Sequence, residues 1–397
     1  MELLFLYETT TQIMNRFFSS SFKLGVLGGG QLGRMMLRES IKFDVQTYVM
    51  DKSPEAPCKN YCDKFILGDL MDYDAVYQFG KQVDLLTIEI EHINIDALEQ
   101  LEKEGLKVYP QPAVLRTIQH KGLQKDFYKN NAIPTANFDR FESKEELEEI
   151  LKNKELPLVW KSAQFGYDGM GVKILKNTSD IEQVDDVPGI LEELVPFKNE
   201  LAVIVAKNPS GDMISYPVVE MEFHPEANQV EYVICPARID SGVAEKAKQV
   251  ALKVAEAFDH VGLLAVEMFQ TQNDEIIVNE VAPRTHNSGH YSIEGSYTSQ
   301  FEQHLRSVLD LPLGSGKSKC PAVMVNLVGA EGHQGPVLYE GMDAILGMKG
   351  VTPHIYGKKM MKPFRKMGHV TVISDDMAKA RNIAAKVKNT VKVISHE

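Results

Sequence analysis

Short apolar runs alternate with amphipathic stretches through the first part of the chain. Lys23-Leu24-Gly25-Val26-Leu27 reads as a strand that runs into Gly28-Gly29-Gly30-Gln31-Leu32-Gly33. A helix over 34–42 and a strand over 45–50 follow, the latter ending at Asp51. The alternation continues with strands at 64–67, 83–89 and 107–110 and helices at 73–82 and 95–104. Strands interleaved with helices predict a small, doubly wound parallel sheet over 23–112. Ligands meet such sheets at the C-terminal strand ends, and Glu91 falls at one of them.

The pattern then changes. A helical stretch over 113–130 carries Lys121, Ile133-Pro134 leads into a strand, and a charged helix occupies 144–153. Pro157-Leu158-Val159-Trp160-Lys161 is a strand, Ser162 to Gly171 is a glycine-rich loop, and 172–175 is again a strand. A glycine loop between two strands is not the strand-loop-helix of a P-loop. It is a hairpin tip whose amides can fold over phosphates, with Lys161 at its mouth. Strands over 190–195, 200–206, 213–223 and 229–236 come next. In the helix over 243–258, Val243, Ala247, Val250, Ala251, Val254, Ala255 and Phe258 share one face, which suits covering a sheet. A helix over 299–309 precedes Pro312-Leu313-Gly314, where a smaller unit begins with strands at 322–328 and 369–373 and a helix at 378–388.

Between these lies a hairpin with chemistry on it. Gly262 to Phe269 and Glu275 to Val278 are apolar runs, and a loop over 272–275 would set Thr271 opposite Ile276 and Glu267 opposite Glu280. Directly opposed like charges cost stability, so the pair invites a cation. Two carboxylates plus nucleotide phosphates are a usual magnesium set. Arg284, His286, Asn287 and His290 follow at the same end of the sheet.

Composition narrows the classes. The chain has 397 residues, 44% hydrophobic and 25% charged, enough for two or three ordinary domains. A net charge of -12 argues against a general nucleic-acid binder, yet Lys358-Lys359-Met360-Met361-Lys362-Pro363-Phe364-Arg365-Lys366 is a local basic cluster suited to a sugar phosphate. Cys58, Cys62, Cys235 and Cys320 lack metal-type spacing, so a reducing cytoplasm is the default. No run reaches the roughly 20 apolar residues of a membrane span. Residues 1–22 lack a basic segment before a short apolar run and are expected to be a disordered tail, or an early start with Met14 as the true one.

Two families of motif remain. Gly28 to Gly33 with Asp51 satisfies a dinucleotide fingerprint, but its physical content is only a helix N-terminus and small residues around an anion. The fuller order is a βαβ domain, a hairpin glycine loop with an upstream lysine, paired glutamates on a late hairpin, and a basic C-terminal unit. This order resembles the ATP-grasp ligases. Gly30-Gln31-Leu32-Gly33-Arg34-Met35, Gly166-Tyr167-Asp168-Gly169-Met170-Gly171 and the block from Asn279-Glu280 through Ala282-Pro283-Arg284 to His286-Asn287-Ser288-Gly289-His290 are similar to those of the 5-(carboxyamino)imidazole ribonucleotide synthases of purine biosynthesis. The segment 299–306 adds to the likeness, which spans about 23–375.

The resemblance implies a mixed α/β and α+β chain of three-domain ATP-grasp architecture. Its parts are the extension 1–22, a Rossmann-like domain 23–112, an ATP-grasp domain 113–311 with a lid subdomain at about 130–195, and a small C-terminal domain 312–397. It implies ATP-dependent carboxylation of aminoimidazole ribonucleotide by bicarbonate, through carboxyphosphate, in a cytoplasmic homodimer. Lys121, Lys161, Gly166, Tyr167, Asp168, Gly169, Met170 and Gly171 would grip the triphosphate. Glu192, Val195 and Glu200 would meet adenine and ribose, with Glu267 and Glu280 holding Mg2+ (or Mn2+) and Asn279 beside them. Tyr167, Asp168, Arg284, His286, Asn287 and His290 would gather imidazole and activated bicarbonate, with Lys161, Asp168, Arg284 and His286 the catalytic groups. Gln31, Leu32, Glu91, Lys358 and Arg365 would surround the ribonucleotide. Two departures stand out: Phe364 occupies a usual glycine position, and His92 follows Glu91 where many members have asparagine. The rival readings are an NAD-dependent oxidoreductase, a formate-using glycinamide ribonucleotide transformylase or biotin carboxylase-like ligase, and an inactive binding module.

Overall fold

A computed structural model describes residues 19–164, 171–224 and 229–396. Its first layer is a five-stranded parallel sheet in the order Lys64–Leu67, Gln46–Asp51, Lys23–Leu27, Leu85–Ile88, Lys107–Tyr109. The chain leaves Lys23–Leu27 to one side and later returns on the other. The crevice at this reversal is where such sheets take ligands. Helix Gln31–Ser40 starts in that crevice, three residues before the expected start at 34, because the extended Gly30 is its N-cap. Phe22 is buried with Leu24 and Val26, and its carbonyl accepts the Gln46 N–H at 2.9 Å. Residues 19–22, expected to end a disordered tail, are therefore built into the domain by an apolar side chain beside the first strand. Residues 1–18 lie outside the described residues.

The single helix expected over 113–130 is two helices, Pro112–Ile118 and Lys121–Asn130. The His120 ring caps the second by accepting the Leu123 N–H at 3.3 Å, which puts Lys121 in a first turn. A four-stranded antiparallel sheet follows, ordered Phe138–Phe141, Gly189–Glu193, Leu158–Ser162, Val172–Leu175, over a small core of Trp160, Leu147 and Leu191.

The largest sheet has nine strands. Eight run in the order Ile276–Ala282, Gly262–Thr271, Phe197–Lys207, Val219–Phe223, Val230–Cys235, Ala322–Val328, Lys366–Ile373, Val351–Ile355, and Met213–Ser215 pairs with Phe197–Lys207. The strand expected over 213–223 is thus two pieces, separated at Tyr216-Pro217-Val218, where Pro217 has no N–H for a ladder. Helix Ser241–Phe258 packs Val243, Ala247, Ala251, Val254, Ala255 and Phe258 onto this sheet. The strands of the smaller unit continue the same sheet, since Ala322–Val328 pairs with Val230–Cys235. A separate three-stranded sheet, Met360–Met361, Gly335–Glu340 and Lys392–Ser395, completes the unit. Its strands have no long apolar run, so the hydrophobic pattern did not reveal them. Among the described residues no helix is long and apolar enough to cross a membrane.

Helix Gln300–Val308 joins the layers. Phe301, Leu305 and Val308 enter the core that holds Leu24, Val26, Met35 and Met36 of the first domain. Leu305 is fully buried there. Leu305→Ala should cost ~2–5 kcal/mol, read as a lower urea midpoint, because the deletion leaves a cavity between rigid layers.

Candidate active site

The hairpin reaches its carboxylate pair by a different path from the regular one. Gln270, not Thr271, lies opposite Ile276, since Thr271 closes the loop by donating its N–H to Glu275 O at 2.9 Å. A bulge at Asn279 then takes up one residue: Met268 faces Val278 while Glu267 faces Glu280. The two offsets cancel, and the glutamates are cross-strand neighbours. Bulges re-aim side chains. Here Asn279 Oδ1 accepts Lys161 Nζ at 2.9 Å and Glu280 Oε2 accepts Lys121 Nζ at 2.6 Å.

The Lys161 contact brings the lid sheet onto the hairpin. Lys161 Nζ also lies 2.6 Å from Glu192 Oε2, and Lys125 ion-pairs with the other oxygen of Glu192. Glu192 is buried, so both of its oxygens are spoken for by lysines rather than turned to a nucleotide. Burial alone would raise its carboxyl; Lys125 and Lys161 overcome that and hold it below the ordinary range. Burial pushes the Lys125 ammonium down to about 8 against the pull of Glu192. Lys125 was missed in the sequence, although it lies one turn beyond Lys121 on the same helix face.

Burial, and then the facing Glu280 charge, pushes the Glu267 carboxyl up, whereas Lys121 holds Glu280 down. Hard oxygen donors in opposition fit a divalent ion completed by phosphates. Among the described residues no third His, Cys, Asp or Glu joins them as a ligand cluster. Where Phe197 pairs with Thr271, further along the strand that carries Glu267, Pro157, Leu194, Val195, Pro196 and Phe197 line an open cavity of about 460 Å³, apolar enough for a flat heterocycle. Glu200, on the strand next to the hairpin, has its carboxyl pushed up to about 7 by burial.

Beyond the hairpin, Arg284 Nε lies 2.7 Å from Glu91 Oε2, and His286 Nε2 lies 3.2 Å from Glu267 Oε1. Asn287 exchanges amide hydrogen bonds with Asn326 at 2.9 and 3.0 Å, tying the segment to the smaller unit. His290 is buried behind them, its Nδ1 3.0 Å from Gln300 Nε2 and its ring stacked 4.6 Å from that of His369. Burial holds it well below the ordinary range, so it is a neutral support.

The first glycine loop does not present an open anion site. Leu32 donates its N–H to Glu89 Oε1 at 3.0 Å and Gly29 donates to Asp51 Oδ2 at 2.7 Å. A Cβ on Gly30 would sit 2.5 Å from Glu89 Oε1. The chain's own carboxylates fill the place of a dinucleotide pyrophosphate, which removes the oxidoreductase reading. Gln31 is the first residue of the helix that starts in the crevice. Gly30, Asp51, Lys358, Lys359 and Arg365 share a second cavity of about 250 Å³. Lys358 Nζ donates to Lys366 O at 2.8 Å and Arg365 Nη1 to Met360 O at 2.7 Å. Phe364, at the usual glycine position, adopts φ +61°, the left-handed region that favours glycine. In the other glycine loop, Gly166, Tyr167, Asp168, Gly169 and Met170 lie outside the described residues. Gly171 has φ +74° and its carbonyl accepts the Ser162 N–H at 2.9 Å, closing the hairpin mouth.

Comparison with known proteins places this geometry. Residues 22–119 match a ribonucleotide synthetase preATP-grasp domain, 126–301 an ATP-grasp domain, and 322–383 a phosphoribosylaminoimidazole carboxylase C-terminal domain. N5-carboxyaminoimidazole ribonucleotide synthase of Synechococcus elongatus is 36% identical over 354 residues, covering 88% of this chain and 89% of that protein. The crystal structure of the Thermotoga maritima synthetase of that name is 41% identical with TM-score 0.87, covering 94% of this chain and all (100%) of that one. The Aspergillus clavatus synthase in complex with ADP and 5-aminoimidazole ribonucleotide is 34% identical with TM-score 0.85, covering 94% and 98% of the two chains.

The raised Glu200 carboxyl has a consequence for stability. Between its ordinary 4.5 and about 7 the unfolded chain ionises before the folded one, so folding loses stability as pH rises through that window. Glu200→Gln should therefore stabilise the ligand-free protein by ~1–3 kcal/mol above pH 7 and by nothing near pH 4. Urea unfolding at the two pH values measures it.

Proposed function

The chain belongs to the N5-carboxyaminoimidazole ribonucleotide synthase family of ATP-grasp ligases, and from that premise we propose how its residues divide the reaction. It is an ATP-dependent, carbon–nitrogen bond-forming ligase of purine biosynthesis. ATP phosphorylates bicarbonate, and the exocyclic amine of 5-aminoimidazole ribonucleotide takes the carbon of the resulting carboxyphosphate. N5-carboxyaminoimidazole ribonucleotide, ADP and phosphate result.

One observation carries the assignment of residues. Lys161 from the lid touches Asn279 on the bulge, beside a Glu280 held by Lys121, so three distant segments converge on one point. Lys121, Lys161 and the loop 166–171 grip the triphosphate there, in a reaction that needs water kept from carboxyphosphate. The cavity at Val195 receives adenine, with Glu200 and the neighbourhood of Glu192 toward the ribose. Glu267 and Glu280 would hold Mg2+, with Mn2+ as a substitute; when bound, the ion neutralises phosphate charge and orients the transferred group. Protein charge does the rest. Arg284, freed in part from Glu91, and His286 steady bicarbonate and the developing negative charge. Tyr167 and Asn287 shape the wall for the imidazole, and the buried His290 supports it from behind. Asp168, or the released phosphate, takes the amine proton. Gln31, Leu32 and Glu91 face the ribonucleotide, and Lys358 and Arg365 meet its phosphate in the second cavity.

The proposal includes the division at 23–112, 113–311 with a lid at about 130–195, and 312–397; the three family matches support it. It also includes a homodimer, as the family resemblance implies, and a cytoplasmic location, in keeping with four free cysteines.

Phosphate release from ATP and bicarbonate should rise with 5-aminoimidazole ribonucleotide and not with glycinamide ribonucleotide plus formate; the reverse stimulation would overturn the substrate assignment. Glu280→Gln should lower kcat by about 10³-fold or more with an unchanged circular dichroism spectrum. Arg365→Ala should raise the ribonucleotide KM by about 10-fold and leave the ATP KM alone, as steady-state titration of each substrate would report.

A further inference from the structure

Lys125 is buried, reaches no cavity described above, and has no part in the reaction so far. Its contacts form a closed ring. Lys125 ion-pairs with Glu192 of the lid sheet and donates to Thr135 Oγ1 at 2.6 Å. Thr135 Oγ1 donates to Val278 O at 2.9 Å, and the Val278 N–H donates to Pro134 O at 2.8 Å, so the chain entering the lid is stitched to the hairpin strand. The next residue, Asn279, accepts from Lys161, which returns to Glu192. The circuit therefore runs Lys161, Glu192, Lys125, Thr135, Val278, Asn279 and back to Lys161. It joins two strands of the lid to the strand bearing Glu280.

Charge gives the circuit its purpose. Glu192 is a buried carboxylate shared by two ammonium groups, and Lys121 adds a third cation nearby. With Lys125 in place, only part of the Glu192 charge bears on Lys161, which leaves that ammonium able to exchange a partner for phosphate. Without Lys125 the whole buried charge would fall on Lys161, and the lid base would lose its tie to Thr135. An unshared buried charge clamps its remaining partner.

We propose that Lys125 is a positioning residue that acts through Glu192 to hold Lys161 in place, and available, for the triphosphate of ATP. The inference rests on the reading of Lys161 as a triphosphate ligand, and the experiment separates the two. Steady-state ATP and ribonucleotide titrations are run on Lys125→Met, Lys125→Arg, Lys161→Met, Glu192→Gln and the double variant Lys125→Met/Glu192→Gln.

Lys125→Met should raise the ATP KM by about 10-fold while kcat and the ribonucleotide KM move less than about threefold, and Lys125→Arg should restore most of the loss. In the Glu192→Gln background, where no buried charge needs sharing, Lys125→Met should add less than about twofold. That comparison still decides the matter if the single Met variant fails to fold. A full additional loss in that background, or an unchanged ATP KM in a folded Lys125→Met, overturns the proposal. If Lys161→Met leaves the ATP KM unchanged, the triphosphate reading itself falls, and this inference with it.

Discussion

Four carboxylates (Glu192, Glu200, Glu267, Glu280) and three lysines (Lys121, Lys125, Lys161) crowd one cleft, and a charge left there without a partner would be costly. The structure settles this by sharing. Glu192 divides its two oxygens between Lys125 and Lys161, Glu280 takes Lys121, and Glu267 and Glu200 lean toward the protonated form.

The sharing requires distant segments to meet at fixed places, and two local irregularities ensure it. The helix break before Lys121 starts a new helix with this lysine in its first turn. The bulge at Asn279 lets two successive side chains meet lysines of two other segments, Asn279 the lid's Lys161 and Glu280 the Lys121 of the helix before the lid. A regular strand would have sent them to opposite faces. Behind the site, the buried ring of His290 and the Asn287–Asn326 amide pair join the segment after the hairpin to a sheet that runs on into the C-terminal unit. Residues on the hairpin and on the basic stretch are thereby parts of one framework, although nearly a hundred positions separate them.

Much of the fold was legible because periodicity survives in sequence. The parallel sheet of the first domain, the helix over 241–258 and the hairpin strands all announce themselves by apolar spacing. The strands Gly335–Glu340 and Lys392–Ser395 do not, because they are half-exposed and pair across a long separation. The glycine loop at 28–33 was legible as a close approach of backbone and anion, but not as to which anion. Glu89, sixty positions on, proved to be the occupant.

The sequence by itself determined the order of elements, the motifs that mark the family, and which side chains carry charge and hydrogen bonds. It even gave the facing of Glu267 and Glu280, though through a register whose offset at Ile276 was undone by the bulge. Only the tertiary structure decided that Glu192 belongs to Lys125 and Lys161, that His290 is buried and neutral, and that Asp51 and Glu89 close the first loop. The reason is physical. Spacing along a chain reports the face on which a side chain lies, whereas partnership and protonation depend on which other segment is folded against that face, and local sequence does not encode that distance.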